Sequence, residues 1–173
     1  FSRGGSDVTG ALAAAALECD LYENWTDVDG IWSADPRSTD LAAPVRQLGY
    51  DQLQFLTAAG IQVLHPDAVA PVAAAEIPLQ IRSTVQTDLP GTVISAEGSA
   101  DRLAVAGGPW NGSKEVSLLA AVYPPELEAA LFGALAAVNH VVLQRSGDRM
   151  RILVAPGDFA AAVEILHRAE NSR

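Results

Sequence analysis

The chain has 173 residues, of which 49% are hydrophobic and 18% are charged, so a disordered chain is excluded and one ordinary domain or two small ones are expected. The net charge of −10 argues against nucleic acid or an anionic membrane as the main partner, because both bind basic surfaces. The single Cys19 and three scattered histidines offer neither a disulfide framework nor a metal-ligand spacing. No signal peptide and no apolar run near ~18 residues is present, and we expect a cytoplasmic protein without a protein-held metal.

The first half of the chain alternates between helical and extended patterns. The predicted elements are a helix over residues 7–17 with Ser6 as its N-cap, a strand over 20–26, a helix over 50–59 ending at Gly60, a helix from Pro66 to Glu76 that Pro71 bends or restarts, and strands over 78–84 and 92–95. This alternation predicts a mostly parallel, three-layer α/β sheet.

A small polar linker over residues 96–101 separates this half from a compact second unit. The predicted elements there are a lead-in strand over 102–106, a strand over 115–123, a helix over 125–138, strands over 141–144 and 150–155, and a closing helix over 159–169. The order β-α-β-β-α is that of a ferredoxin-like α+β unit.

The motif SRGGSD at residues 2–7 combines glycines with groups that bind anions. Glycine lets the backbone approach a ligand, and the following helix directs unpaired N–H groups at it. Arg3 can hold a carboxylate or phosphate, Ser6 adds a hydroxyl, and Asp7 can accept from an ammonium group. A zwitterionic amino acid beside a phosphate would suit these groups. A plain loop with a helix cap is the alternative, since short glycine motifs often occur without a ligand.

A second motif, TDVDGIWSADPR at residues 26–37, places an aromatic ring and an arginine after a tight turn. The ring could stack on a purine and the arginine could reach phosphates. A calcium loop is the rival, but the third early ligand and the closing glutamate are missing; an ordinary turn also fits. In the third motif, GIQVLHP at residues 60–66, His65 suits a structural hydrogen bond, because no Ser or Cys partner accompanies it.

These three motifs occur in the same order and near the same spacings in aspartate kinases, which the chain therefore resembles. PLQIRST at 78–84 and PGTVIS at 90–95 look like the two strands that close the same domain. The resemblance implies a partial three-layer amino-acid-kinase-like sheet, the C-terminal half of that domain, over residues 1–98. It also implies a small ferredoxin-like, ACT-like regulatory domain over residues 99–173.

The resemblance also implies roles for individual residues. Asp7 would be catalytic, Arg3 and Ser6 would bind substrate, and the nucleotide would be bound by Thr26, Asp27, Trp32, Arg37 and Gln62. Two of these depart from the family pattern. Trp32 stands where the family usually has Tyr or Phe, and Gln62 stands where many members carry a lysine near the phosphates.

The implied reaction transfers the γ-phosphate of ATP to the β-carboxylate of L-aspartate, the first step of lysine, threonine and methionine biosynthesis, with Mg²⁺ held mainly by the phosphates. An amino-acid effector, lysine or threonine, and a homodimer through the ACT-like domain are implied as partners. The family's N-terminal Lys-Phe-Gly-Gly segment, which cradles phosphate, is not in the sequence, and we expect this chain to be inactive alone. A different amino acid kinase, or a non-catalytic amino-acid-binding or dimerisation module of the same fold, stays open.

Overall fold

The computed structural model describes residues 4–172, in which two four-stranded sheets follow one another along the chain. The first unit contains α1 (Gly5–Ala16), β1 (Tyr22–Thr26), β2 (Gln47–Gly49), α2 (Tyr50–Thr57), α3 (Val69–Ala74), β3 (Leu79–Ser83) and β4 (Thr92–Ser95). The second contains β5 (Ala104–Pro109), β6 (Ser117–Val122), α4 (Glu128–Leu135), β7 (His140–Ser146), β8 (Arg149–Val154) and α5 (Phe159–Asn171).

The first sheet has the order β1-β3-β4-β2, with parallel outer pairings and an antiparallel pair β3–β4 in the middle. Burial alternates along β3: Leu79 and Ile81 are buried, whereas Gln80 and Arg82 are partly exposed. Because successive side chains of a strand point to opposite faces, one face is apolar and the other polar. Residues of α1, α2 and α3 share one hydrophobic cluster with the apolar face. The predicted α/β architecture, a partial sheet covered by helices, is confirmed.

The second sheet is antiparallel throughout, with the order β5-β6-β8-β7. Leu131 of α4 and Leu166 of α5 belong to the same buried cluster as Leu119 and Ile152 of the sheet, which gives the ferredoxin-like arrangement expected from the sequence. All six residues of β6 are buried, so both faces of this central strand are covered. The second face packs against the first unit, because Ala120 and Val122 join the cluster that contains α2.

Polar contacts also connect α2 to the turn that precedes β8. The buried side chain of Gln52 accepts from the backbone N–H groups of Gly49 (3.1 Å) and Ala100 (2.8 Å) and donates to Asp148 (2.9 Å). Arg149 pairs with Asp148, and its hydrogen bond to that carboxylate is the main reason that the pKa of Asp148 lies below its usual range. These contacts fix the two units against each other.

Several predicted boundaries were wrong. Ser6 is not the N-cap of α1: the helix begins at Gly5, after Gly4 with φ +91°. The helix expected over residues 66–76 is a 3₁₀ turn followed by α3, and β2 was missed. The lead-in strand starts later and runs further than predicted, as β5. The strands predicted over 20–26 and 92–95 are confirmed as β1 and β4.

Candidate functional site

A cavity of about 680 Å³ lies beside the segment that follows β1, and this volume is within the usual ligand-pocket range of about 300–1,000 Å³. Residues 27–32 and 34–38 line it on one side; we call residues 27–38 the cavity loop. Residues 60–63 line another side. Four of the predicted nucleotide-binding residues therefore meet around one cavity: Asp27, Trp32, Arg37 and Gln62.

Gly30 gives the cavity loop its turn. Its φ of +106° suits glycine, and a Cβ at this position would lie 2.8 Å from Oγ1 of Thr92. That buried hydroxyl accepts from the N–H of Ile31 (2.8 Å) and donates to the carbonyl of Val45 (2.7 Å). The Thr92 side chain of β4 thus ties the cavity loop to the segment that leads into β2.

The C-terminal end of the cavity loop carries an ion pair. Arg37 forms a two-pronged ion pair with Asp35 at 2.8–3.2 Å, and that hydrogen bond is the main reason that the pKa of Asp35 is lowered. Because both groups are open to solvent, the pair is free to rearrange around a ligand. Among the residues that line the cavity, Asp27, Asp29 and Asp35 outnumber Arg37, so a polyphosphate would need further positive charge.

Thr26 is not among the residues that line the cavity. Its backbone carbonyl accepts from the N–H (2.8 Å) and hydroxyl (3.0 Å) of Thr84, and its own hydroxyl donates to Asp27 (3.2 Å). Thr26 thus anchors the end of β1 and positions Asp27, while its predicted contact with nucleotide stays a prediction.

The start of α1 forms a second polar cluster. Asp7 accepts from the backbone N–H of His65 (3.1 Å) and from the side-chain amide of Asn24 (3.4 Å), and Tyr22 donates to the Asp7 carbonyl (3.1 Å). Gly4 packs so closely on the His65 ring that a Cβ would lie 2.5 Å from it. His65 itself accepts from the N–H of Asp67 (3.3 Å), the structural role expected for this histidine.

Of the three residues predicted to act on the substrate, two lie in this cluster or beside it. Ser6 is exposed, and its hydroxyl donates to Asp7 (3.4 Å). Asp7 lies at the centre of the cluster, and Arg3 lies outside the described residues. The structure therefore places Ser6 and Asp7 at a solvent-open helix start.

The segment over residues 60–66 connects the two clusters. Gly60 to Val63 line the cavity, and His65, two residues further along, contacts Gly4 and Asp7. Since consecutive Cα atoms lie ~3.8 Å apart, Val63 and His65 are separated by at most about 7 Å at their Cα atoms. The cavity and the start of α1 are therefore close neighbours.

Sequence reasoning missed the part of the cavity that the second unit supplies. Val105, Ala106 and Gly107 of β5, together with Phe159 and Val163 of α5, complete the lining. No local motif marks these residues, because small and apolar side chains of a strand and a helix are also typical of a core.

Among the residues that the structure describes, 4–172, no group of three or more His, Cys, Asp or Glu side chains could hold a metal ion. Within the same range, no helix is both long and apolar enough to span a bilayer.

Residues 1–83 match the sequence profile of the amino acid kinase family. Aspartate kinases are among the curated relatives that match. Aspartokinase 3 of Bacillus subtilis is 41% identical over 92 residues, which are 53% of this chain and 20% of that protein. The aspartokinase of Rickettsia prowazekii is 40% identical over 97 residues, 56% of this chain and 22% of its own. The chain thus spans about a fifth of the length of these relatives.

Solved structures extend the similarity to the second unit. The aspartate kinase of Clostridium acetobutylicum superposes on 99% of this chain and 59% of its own, with a TM-score of 0.84 and 25% identity. E. coli aspartokinase III, solved with aspartate and ADP, shares the fold over 96% of this chain and 56% of its own, with a TM-score of 0.74 and 19% identity. The resemblance to aspartate kinases, within the amino acid kinase family, is thereby confirmed.

Proposed function

We propose that this chain forms part of an aspartate kinase, in which it holds ATP in the cavity and L-aspartate at the start of α1. The observation that carries the proposal is the convergence of Asp27, Trp32, Arg37 and Gln62 on one cavity, next to the helix start that bears Asp7. The alternative, a non-catalytic module of the same fold, would keep this architecture without phosphoryl transfer.

The cavity suits the nucleoside end of ATP better than its phosphates. The half-buried Trp32 offers a ring for a purine, and Phe159 and Val163 add apolar surface. Gln62 is exposed at the cavity edge toward His65, so its amide would donate to a phosphate oxygen where a lysine would supply charge. We propose that Arg37 leaves Asp35 to bind phosphate when nucleotide enters.

The proposed aspartate site follows from the polar cluster at the start of α1. Unpaired N–H groups and the positive dipole end of a helix attract an anion, and Ser6 and Arg3 would bind a carboxylate of aspartate there. The two oxygens of Asp7 take three hydrogen bonds, from His65, Asn24 and Ser6, and a carboxylate has about four acceptor positions. Asp7 would therefore hold the start of α1 in place and still accept from the substrate ammonium.

The chemistry requires little proton transfer. The β-carboxylate of aspartate has an ordinary pKa near ~3.9, so the nucleophile is ionised at neutral pH without a general base. The difficulty is repulsion between this carboxylate and the polyphosphate, which positioning and positive charge overcome. Mg²⁺ bound to the phosphates would supply part of that charge. The excess of carboxylates among the lining residues makes this counter-charge necessary.

The proposal is tested by titrating the chain with Mg-ADP. Tryptophan fluorescence is followed in one titration and the heat of binding is measured by calorimetry in another. Saturable binding with quenching of Trp32 is expected. Trp32→Leu should abolish the fluorescence change, whereas Trp25→Leu is the matched control, because Trp25 is 43% exposed on the polar face of the first sheet and stacks with Arg82 instead. A titration without heat or quenching in the unmodified chain would refute nucleotide binding at this cavity.

Activity is tested separately by a coupled ADP-release assay with Mg-ATP and aspartate. We expect no turnover from this chain alone, because three aspartates against one arginine line the cavity and leave the polyphosphate short of the positive charge that phosphoryl transfer requires. Turnover at a rate of ~1–100 s⁻¹, typical of kinases, would contradict that expectation. Binding of Mg-ADP together with saturable binding of lysine or threonine, measured by calorimetry, would favour a regulatory module.

We also propose that a second copy of this chain pairs along β7. This strand is at the edge of the second sheet, and Val141, Val142 and Leu143 expose 62%, 44% and 46% of their surfaces. An apolar edge with unpaired backbone groups favours association with another strand. Val142→Lys should shift the chain from dimer to monomer in sedimentation equilibrium, whereas the same substitution at the exposed Val85 should not. A monomer before substitution would exclude this dimer.

A further inference from the structure

The cavity loop is anchored by the second unit as well as by its own sheet. Ser33, at the centre of the loop, is fully buried. Its carbonyl accepts from the N–H of Val105 in β5 (2.7 Å), and its N–H donates to the carbonyl of Ala43 (2.8 Å). The backbone of the loop is thus held between β5 and the segment that leads to β2.

The side chain of Ser33 extends this anchor to α5. Its hydroxyl oxygen accepts from the N–H of Ala43 (2.9 Å) and lies 2.9 Å from Nε2 of His167. The other ring nitrogen, Nδ1, lies 2.8 Å from the carbonyl of Val163. Because a carbonyl only accepts, Nδ1 carries the proton, and Nε2 accepts the Ser33 hydroxyl proton. The four groups form one continuous chain of hydrogen bonds, Ala43 to Ser33 to His167 to Val163.

This series of hydrogen bonds ends on the wall of the cavity. Val163 lines the cavity, and so does Ala34, the neighbour of Ser33. His167 is itself fully buried, so any rearrangement of its ring would leave the Ser33 hydroxyl without its acceptor in a site closed to water. The position of the loop that carries Trp32 and Arg37 therefore depends on a histidine in the last helix.

We infer that His167 is a positioning residue of the nucleotide cavity, acting on Trp32 and Arg37 through Ser33. The inference rests on the proposed function for the identity of the ligand. The hydrogen bonds that hold the loop are independent of it. An experiment on ligand-free protein therefore tests the positioning role of His167, and one on nucleotide binding tests the proposed function.

The first experiment uses a chain in which Trp25 and Trp110 are replaced by Phe, so that Trp32 alone emits. His167→Phe keeps a ring and removes both nitrogens, and iodide should quench Trp32 more strongly in that variant. His167→Gln keeps a polar nitrogen or oxygen within reach of Ser33 and should restore the original quenching. His140→Phe is the matched control, because within residues 4–172 the His140 ring hydrogen-bonds only to the carbonyl of Val138, near its own strand. Equal quenching in all variants would overturn the inference.

The second experiment measures Mg-ADP affinity in the otherwise unmodified chain by calorimetry. His167→Phe should weaken binding about tenfold, because nucleotide binding must then order the loop that this buried hydrogen bond of ~1.4 kcal/mol otherwise holds. His167→Gln and His140→Phe should stay within about twofold of the unmodified chain. Combining Ser33→Ala with His167→Phe should cost less than the sum of the two single effects, because they share one bond. Additive effects, or no rescue by glutamine, would overturn the inference. No Mg-ADP binding in the unmodified chain would refute the proposed function, and the quenching experiment would then decide the positioning role alone.

Discussion

Gln52 provides the sharpest test of how the two units are held together. Its side chain is 2% exposed and serves three partners: the N–H groups of Gly49 and Ala100 and the carboxylate of Asp148. Gln52→Ala removes the acceptor of two backbone N–H groups, while Asp148 keeps its ion pair with Arg149. Each buried group left unpaired costs about 1–3 kcal/mol, and water that enters the site relieves part of this cost. The free energy of unfolding should therefore fall by about 3 kcal/mol.

The matched control lies on the same helix. Gln54→Ala changes the same residue type at an exposed position of α2, so the difference between the two variants excludes helix propensity. Urea unfolding at neutral pH, followed by far-ultraviolet circular dichroism, gives both free energies. Gln54→Ala should change stability by less than about 0.5 kcal/mol. A difference between the variants below about 1 kcal/mol, less than one unpaired buried group costs, would refute the assigned role of Gln52.

Three further predictions concern other sites. Gly4→Ala should destabilise the chain more than Gly60→Ala in urea unfolding, because both positions have positive φ but only Gly4 faces a ring, that of His65; equal losses would show that the His65 contact is unimportant. Arg37→Ala should leave the unfolding midpoint unchanged, since the ion pair with Asp35 is solvent-exposed, and should weaken Mg-ADP binding about tenfold in calorimetry; unchanged affinity would remove Arg37 from the site. Burial raises the pKa of Tyr123 to about 12, so stability should fall between about pH 10, where the unfolded tyrosine ionises, and that value. Tyr123→Phe should remove this loss without cost at pH 7, because the hydroxyl has no hydrogen-bond partner among the described residues; an unchanged alkaline transition would contradict it.

The sequence predicted most of what local patterns determine. Alternation located β1 and β4, and the second and third motifs led to the lining residues Asp27, Trp32, Arg37 and Gln62. Other elements escaped because their cause is not local. β2 has only three residues, too few to show a period, and its strand conformation comes from pairing with β4.

The start of α1 shows why the capping prediction failed. A serine before an alanine-rich run is a strong N-cap signal. The chain instead turns at Gly4, where positive φ and the absence of a Cβ let the backbone approach His65. That approach depends on a residue of another segment, which no local pattern reveals.

Long-range polar contacts also could not be predicted from the sequence. Gln52 and Asp148 are 96 positions apart, and Ser33 and His167 are 134 apart. Each is an ordinary surface-type residue in its local context, and only the packing of the second unit on the first pairs these residues and buries Gln52, Ser33 and His167. The wall that α5 adds to the cavity has the same origin.

The segment over residues 60–66 has a consequence for how such a site can change. Its length, and not its side chains, sets the distance between the cavity at Val63 and the helix start held by His65. Substitutions within it would tune affinity on one side or the other and leave this spacing intact. Insertion of a single residue would lengthen it by up to about 3.5 Å, comparable to the separation of two reacting atoms of ~3–3.5 Å. This stretch should therefore tolerate changes of residue type far better than changes of length.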